Sequence, residues 1–237
     1  MKAVILAGGL GTRLKPFTEV IPKPLLPLGE SSVLEIQVRA LKRAEFDEVF
    51  IATNYMADYV EAFLGDGSKY GIRITFSRET TPLGTCGPLR LLQDRLSEPF
   101  LLMNGDILTT MDLRAAWESA ARSDANLTVF TREIKVPFNF GKVVSEGGYI
   151  VDVTEKPDLH FEILAGIYVL KPLVVDLIPP GEYYGIDTLI KDMLARKMRI
   201  GREIITDYWL DIGELTDFHT AREAYSSHFT HQTPSGG

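Results

Sequence analysis

The chain has 237 residues, 45% of them apolar and 24% charged, a balance that lets a globular protein bury a large core without disulfides or a structural metal. A net charge of −7, from 32 acidic against 25 basic side chains, speaks against a broad basic face for nucleic acid, though not against a small anion held by a few local cations. A single cysteine, Cys86, permits no intrachain disulfide and fits a reducing, cytoplasmic compartment, and no stretch approaches the roughly 18 apolar residues of a membrane span.

In chain order, KAVIL at residues 2–6 reads as a short strand buried on both faces, because it lacks alternation. Residues 31–44 follow as a helix with a serine start. EVFIAT at 48–53 is the next strand, 55–64 a helix closed by glycines, and RITFS at 73–77 a third strand. FLLM at 100–103, a helix over 113–123 and NLTVFTR at 126–132 continue the rhythm. Strands alternating with helices of this length predict an α/β fold with a largely parallel sheet covered on both faces. From about residue 138 the rhythm changes. Residues 142–145 and 149–154 flank Glu146-Gly147-Gly148 as a small β-hairpin region. A strand over 163–170, a helix over 186–195, a strand over 204–211 and a closing helix over 214–227 complete the pattern. With no repeat and no linker, residues 1–227 are expected to form one domain, and the tail 228–237, with little to bury, to be disordered.

The chemistry is concentrated in LAGGLGTRLKPFTEVIPKP, residues 6–24. A phosphate-binding P-loop would need a lysine after its second glycine, and the dinucleotide fingerprint a third glycine where Leu14 stands. Neither pattern fits. Gly8, Gly9 and Gly11 still let the backbone wrap a ligand closely and point amides at it. Arg13 adds a planar fork suited to phosphate oxygens, and Lys23 a point charge stiffened between Pro22 and Pro24. Asp106 follows the FLLM strand, and Asp211 ends an apolar strand before Gly213. Singly, each would be read as a turn former. As a pair at two strand ends, they suit Mg²⁺, which takes one or two carboxylates and completes its shell with phosphate oxygens and water.

Residues 6–27, LAGGLGTRLKPFTEVIPKPLLP, closely resemble the G-G-x-G-T-R-L-x-P-x-T-x-x-x-P-K-P-L-x-P motif of the sugar-1-phosphate nucleotidyltransferases. The likeness continues through PLGT at 82–85, NGD at 104–106, EKP at 155–157, AGIY at 165–168 and WLDIG at 209–213, so it covers the chain to about residue 224. The resemblance implies a single Rossmann-like three-layer domain with a mixed, mostly parallel central sheet, and a reaction joining a nucleoside triphosphate to a sugar 1-phosphate. It assigns nucleotide binding to Leu6, Ala7, Gly8, Gly9, Gly11, Thr12, Arg13, Glu79, Pro82, Gly84, Thr85, Asn104 and Gly105. Sugar-phosphate binding falls to Lys23, Gly141, Glu155, Lys156, Ala165 and Gly166, catalysis to Arg13, Lys23, Asp106 and Asp211, and Mg²⁺ to the two aspartates. No nucleic-acid or membrane partner is expected, and the chain is compatible with a monomer or a homo-oligomer.

A sugar 1-phosphate has a second pKa of about 6, so its oxygen is already an anionic nucleophile at neutral pH and needs no general base. The expected work is therefore positioning and charge neutralisation. Glu79 stands where relatives that take thymidine or uridine triphosphates often carry Gln. A carboxylate accepts from the adjacent N1–H and N2–H of guanine but opposes the carbonyl oxygens of uracil and thymine, so GTP is favoured, with UTP, dTTP and CTP as alternatives. Leu164 and Phe140 replace the Asn and Tyr common at the sugar pocket, which points away from plain glucose or mannose 1-phosphate and towards a deoxysugar, heptose or cyclitol phosphate. The competing readings are a non-sugar substrate such as choline phosphate, and a catalytically inactive, nucleotide-sugar-binding regulatory subunit.

Overall fold

A computed structural model of the chain describes residues 1–229. Four parallel strands form one side of its main sheet: β1 (Lys2–Leu6), β2 (Glu48–Thr53), β3 (Arg73–Arg78) and β4 (Phe100–Asn104). The short β5 (Ile107–Thr109) follows, then the long β6 (Leu127–Pro137). The hairpin strands β7 (Lys142–Glu146) and β8 (Tyr149–Thr154) lead into β9 (Asp158–Leu170), with β10 (Ile200–Ile204) and β11 (Trp209–Asp211) last. The seven-stranded sheet runs β10-β6-β9-β4-β1-β2-β3, with β9 antiparallel to both of its neighbours. The expected α/β class with a mixed, mostly parallel sheet is what forms.

The helices are α1 (Val33–Arg43), α2 (Ala57–Leu64), α3 (Gly87–Leu91), α4 (Leu113–Arg122), α5 (Ile186–Ala195) and α6 (Leu215–His228). The start of α1 is fixed by a capping box, in which Glu35 N donates to Ser32 Oγ and Ser32 N donates to the Glu35 carboxylate. Strand alternation divides the core into two layers. Ala3 and Ile5 of β1 face Leu34, Val38 and Leu41 of α1 together with residues of α2 and α4, whereas Val4 faces the α3 and α5 side with Leu89 and Leu189. No helix among the described residues is long and apolar enough to cross a membrane.

Three expectations are corrected. The strand over 204–211 is two strands: β10 pairs parallel with β6 at the sheet edge, and β11 pairs antiparallel with β5 elsewhere. The strands over 126–132 and 163–170 extend to Pro137 and back to Asp158, because they continue together past the sheet as a two-stranded ribbon, Arg132–Pro137 against 158–163. The tail begins later than expected: His228 closes α6, and Phe229 is 2% exposed within the cluster formed by Leu14, Leu26, Phe218 and Tyr225. Residues 230–237 lie outside the described residues.

Candidate active site

Strand order reverses between β1 and β4, the position where open α/β sheets bind ligands beyond their carboxyl ends. A cavity of about 550 Å³ opens there. Its walls include Leu6 at the end of β1, Gly8, Gly9, Gly11, Thr12 and Arg13 from the loop that follows, and Lys23 further along. Glu79, Pro82, Gly84 and Thr85 close one side, and Asn104, Gly105 and Asp106 another.

Close backbone packing holds the two strand ends together. Gly105 N donates to Leu6 O at 2.9 Å, and a Cβ at Gly105 would lie 2.7 Å from that same oxygen, so only glycine lets the β4 turn approach β1 this closely. Gly11 adopts the left-handed conformation, and Thr18 Oγ donates to its carbonyl at 2.8 Å, which fixes the far end of the glycine loop.

Asp106 and Asp211, from the middle and the last part of the chain, meet through β5 and β11. Asp211 pairs in register with Ile107, and Ile212 N donates to Asp106 O at 3.1 Å. Lys23 Nζ pairs with Asp106 Oδ2 at 2.5 Å. The Oδ1 atoms of both aspartates are buried and have no hydrogen-bond partner. Burial first, then the neighbouring Asp106 charge, raises the Asp211 carboxyl to about 6, with Lys23 and Arg13 partly offsetting the rise. Two orphaned buried carboxylate oxygens beside one lysine fit a hard divalent cation. Two carboxylates are also the small number that Mg²⁺ takes from a protein. Arg13 lies against Gly213, where a Cβ would sit 3.3 Å from its Nη2, so its fork borders both the glycine loop and the Asp211 strand.

Glu79 stands across the loop, its Oε1 3.2 Å from where a Gly8 Cβ would lie, while its Oε2 accepts from Leu83 N at 2.9 Å. Burial pushes the Glu79 carboxyl up, opposed by that backbone hydrogen bond. Gly166 packs against Asn104, and Trp209 Nε1 donates to Ala165 O at 2.8 Å, which ties the AGIY strand to β11, the strand that carries Asp211. Gly141, Glu155 and Lys156 are not brought to the cavity wall. They sit around the exposed hairpin that follows the ribbon, with Glu155 Oε2 3.3 Å from the Gly141 Cβ position. Cys86 is fully buried and its thiol is pushed up to about 12 by desolvation, consistent with a packing role.

Sequence reasoning missed Gln37, Asn54 and Tyr183. Asn54 and Tyr183 line the cavity. Gln37, 3% exposed, donates through Nε2 to Asn104 O and Ile107 O, both at 2.8 Å, and so clamps the turn that carries Asp106. A signal was present: Gln37 falls at helical spacing with Leu34, Val38 and Leu41 on the apolar face of α1, and a polar side chain there requires a buried partner.

A glycine-rich loop at a sheet switch point, with two orphaned carboxylates and a lysine nearby, has the chemistry of a site for a phosphorylated ligand. Comparison with known proteins makes this particular: residues 2–228 match the nucleotidyl transferase family, and the chain belongs to it, among the sugar-1-phosphate nucleotidyltransferases. It is 34% identical to mannose-1-phosphate guanylyltransferase 1 of Arabidopsis thaliana over 99% of this chain and 67% of that one. It is likewise 34% identical to mannose-1-phosphate guanyltransferase of Yarrowia lipolytica, over 99% and 66%. The chain thus spans about two thirds the length of these relatives. A putative glucose-1-phosphate thymidylyltransferase from Bacillus anthracis superposes with a TM-score of 0.79 at 25% identity, over 100% of this chain and 97% of that one.

Proposed function

We propose that this nucleotidyltransferase transfers GMP from GTP to a sugar 1-phosphate, giving a GDP-sugar and pyrophosphate, with Asp106 and Asp211 holding Mg²⁺. The carrying observation is the pair of buried, partnerless carboxylate oxygens beside Lys23 and opposite the glycine loop. The cation would neutralise charge on the triphosphate. Backbone amides from Gly8 to Gly11 and the Arg13 fork bind the β- and γ-phosphates, and Lys23 draws charge from the α-phosphate. Lys156 binds the sugar phosphate, the role the EKP resemblance implies for it. The phosphate oxygen then attacks in line at the α-phosphorus, forming the new P–O bond as the bond to pyrophosphate breaks. No protein base takes part, because the nucleophile is already anionic.

Guanine is favoured by Glu79, whose carboxylate faces the loop beside Gly8, and by the guanylyl transfer named in the Arabidopsis and Yarrowia relatives. The test is a panel of GTP, ATP, UTP, dTTP and CTP with Mg²⁺, crossed with sugar 1-phosphates including mannose, glucose, deoxysugar and heptose forms, following pyrophosphate release. GTP should give the highest kcat/KM, and Asp106→Asn should lose most turnover while keeping its fold. A best signal with UTP or dTTP overturns the guanine assignment, and near-normal turnover in Asp106→Asn overturns the metal assignment.

A further inference from the structure

Tyr183 is 74% exposed and is one of the residues lining the cavity. Its placement is tightly set by two crossing segments. Tyr184 N donates to Leu83 O at 2.8 Å, and Tyr184 O accepts from both Cys86 N at 2.9 Å and Gly87 N at 3.2 Å. Ile186 N donates to Thr85 Oγ1 at 2.7 Å. This zipper binds residues 184–186 to residues 83–87. Tyr184 points inward, 6% exposed, with its hydroxyl bonded to Asp192, whereas Tyr183 lies at the cavity. Gly84 permits the result. Its φ is +77°, and a Cβ there would lie 2.9 Å from Tyr184 O and 3.3 Å from Tyr183 Cε2. One ring edge therefore rests on bare backbone, and most of the ring surface stays open at the cavity mouth, on the side that Pro82, Gly84 and Glu79 close. The Tyr183 hydroxyl makes no hydrogen bond among the described residues, so the ring is held by its backbone and by Gly84 rather than by its polar end.

We infer that Tyr183 is a specificity-determining residue whose ring stacks on the nucleotide base, with Glu79 reading the base edge, so that a purine gains more than a pyrimidine. This deepens the guanylyltransferase reading and rests on it for the location of the base. Stacking on an aromatic face depends on π-area and tolerates different bases. Tyr183 thus supplies affinity in proportion to base size, and Glu79 supplies the choice among purines.

The test is calorimetric binding of GTP, UTP and inorganic tripolyphosphate, each with Mg²⁺ and without sugar phosphate, to the wild type, Tyr183→Phe and Tyr183→Ala. Tyr183→Ala should weaken GTP roughly 5- to 160-fold, the usual strength of a base–aromatic stack. It should weaken UTP by a smaller factor and leave tripolyphosphate unchanged. Tyr183→Phe should bind all three within about threefold of the wild type, which also shows that the loop tolerates substitution. In turnover, Tyr183→Ala should raise KM for GTP with little change in kcat. The inference is overturned if Tyr183→Ala binds GTP as the wild type does, if tripolyphosphate weakens in parallel with GTP, or if Tyr183→Phe fails as Tyr183→Ala does. A wild type that prefers UTP would sink the guanine reading alone, and stacking would then be judged by whether Tyr183→Ala weakens UTP.

Discussion

Replacing Gln37 with Leu separates the scaffold of the site from its chemistry. The substitution roughly conserves volume and removes two hydrogen bonds of 2.8 Å to Asn104 O and Ile107 O. At about 1 kcal/mol net per bond, the loss is about 2 kcal/mol. Gln37 Oε1 is itself buried without a partner, so its removal returns about 1 kcal/mol of that. The net destabilisation is therefore about 1 kcal/mol, a melting shift of about 2–4 °C for a domain of this size. Turnover should suffer more, because the two freed carbonyls flank Gly105 and Asp106. Loss of a residue that orients a metal ligand typically costs about 10- to 100-fold in metal affinity or activity. Differential scanning fluorimetry together with kcat measured across a Mg²⁺ titration reads both quantities. A variant that melts lower but keeps the wild-type Mg²⁺ dependence and kcat would show that Gln37 serves packing alone, and would refute this reasoning.

Other substitutions test the remaining parts. Asp211→Asn should raise the melting temperature without Mg²⁺, because it removes a half-buried charge beside Asp106, and should abolish both turnover and the rise in melting temperature that Mg²⁺ gives the wild type; a variant no more stable than the wild type contradicts the buried-charge account. Gly105→Ala should destabilise by about 2 kcal/mol or more, since its Cβ would lie 2.7 Å from Leu6 O, and chemical denaturation measures this. Cys86, with its thiol near 12 in the fold against 9 ordinarily, should resist a disulfide reagent at pH 8 and react with one equivalent once unfolded. The sign follows from the raised value: its contribution to stability is complete below pH 9 and is lost as pH climbs towards 12, so the denaturation midpoint should fall in that window.

What was legible in the sequence followed from short-range rules. KAVIL, EVFIAT and RITFS lack room for a helix and carry the apolar density of buried parallel strands, and they form β1, β2 and β3 close to the expected bounds. The strand-end positions of Asp106 and Asp211 were equally readable, because a strand's carboxyl end is a local property. The split of residues 204–211 was not, since Ile200–Ile204 looks like loop until β6 offers it an edge, and Trp209–Asp211 becomes a strand only against β5. The ribbon escaped for the same reason: Arg132–Pro137 and 158–163 stabilise one another and leave no periodic mark of a core. Tyr183 had no local signature, because its place depends on a zipper to residues a hundred positions earlier in the chain.

The pairing of β11 with β5 leaves Asp211 dependent on a ladder of only three residue pairs, Trp209 with Thr109, Leu210 with Leu108 and Asp211 with Ile107. That ladder is separate from the seven-stranded sheet, so loosening it would carry the Asp211 carboxylate away from Asp106 while the main sheet stayed whole.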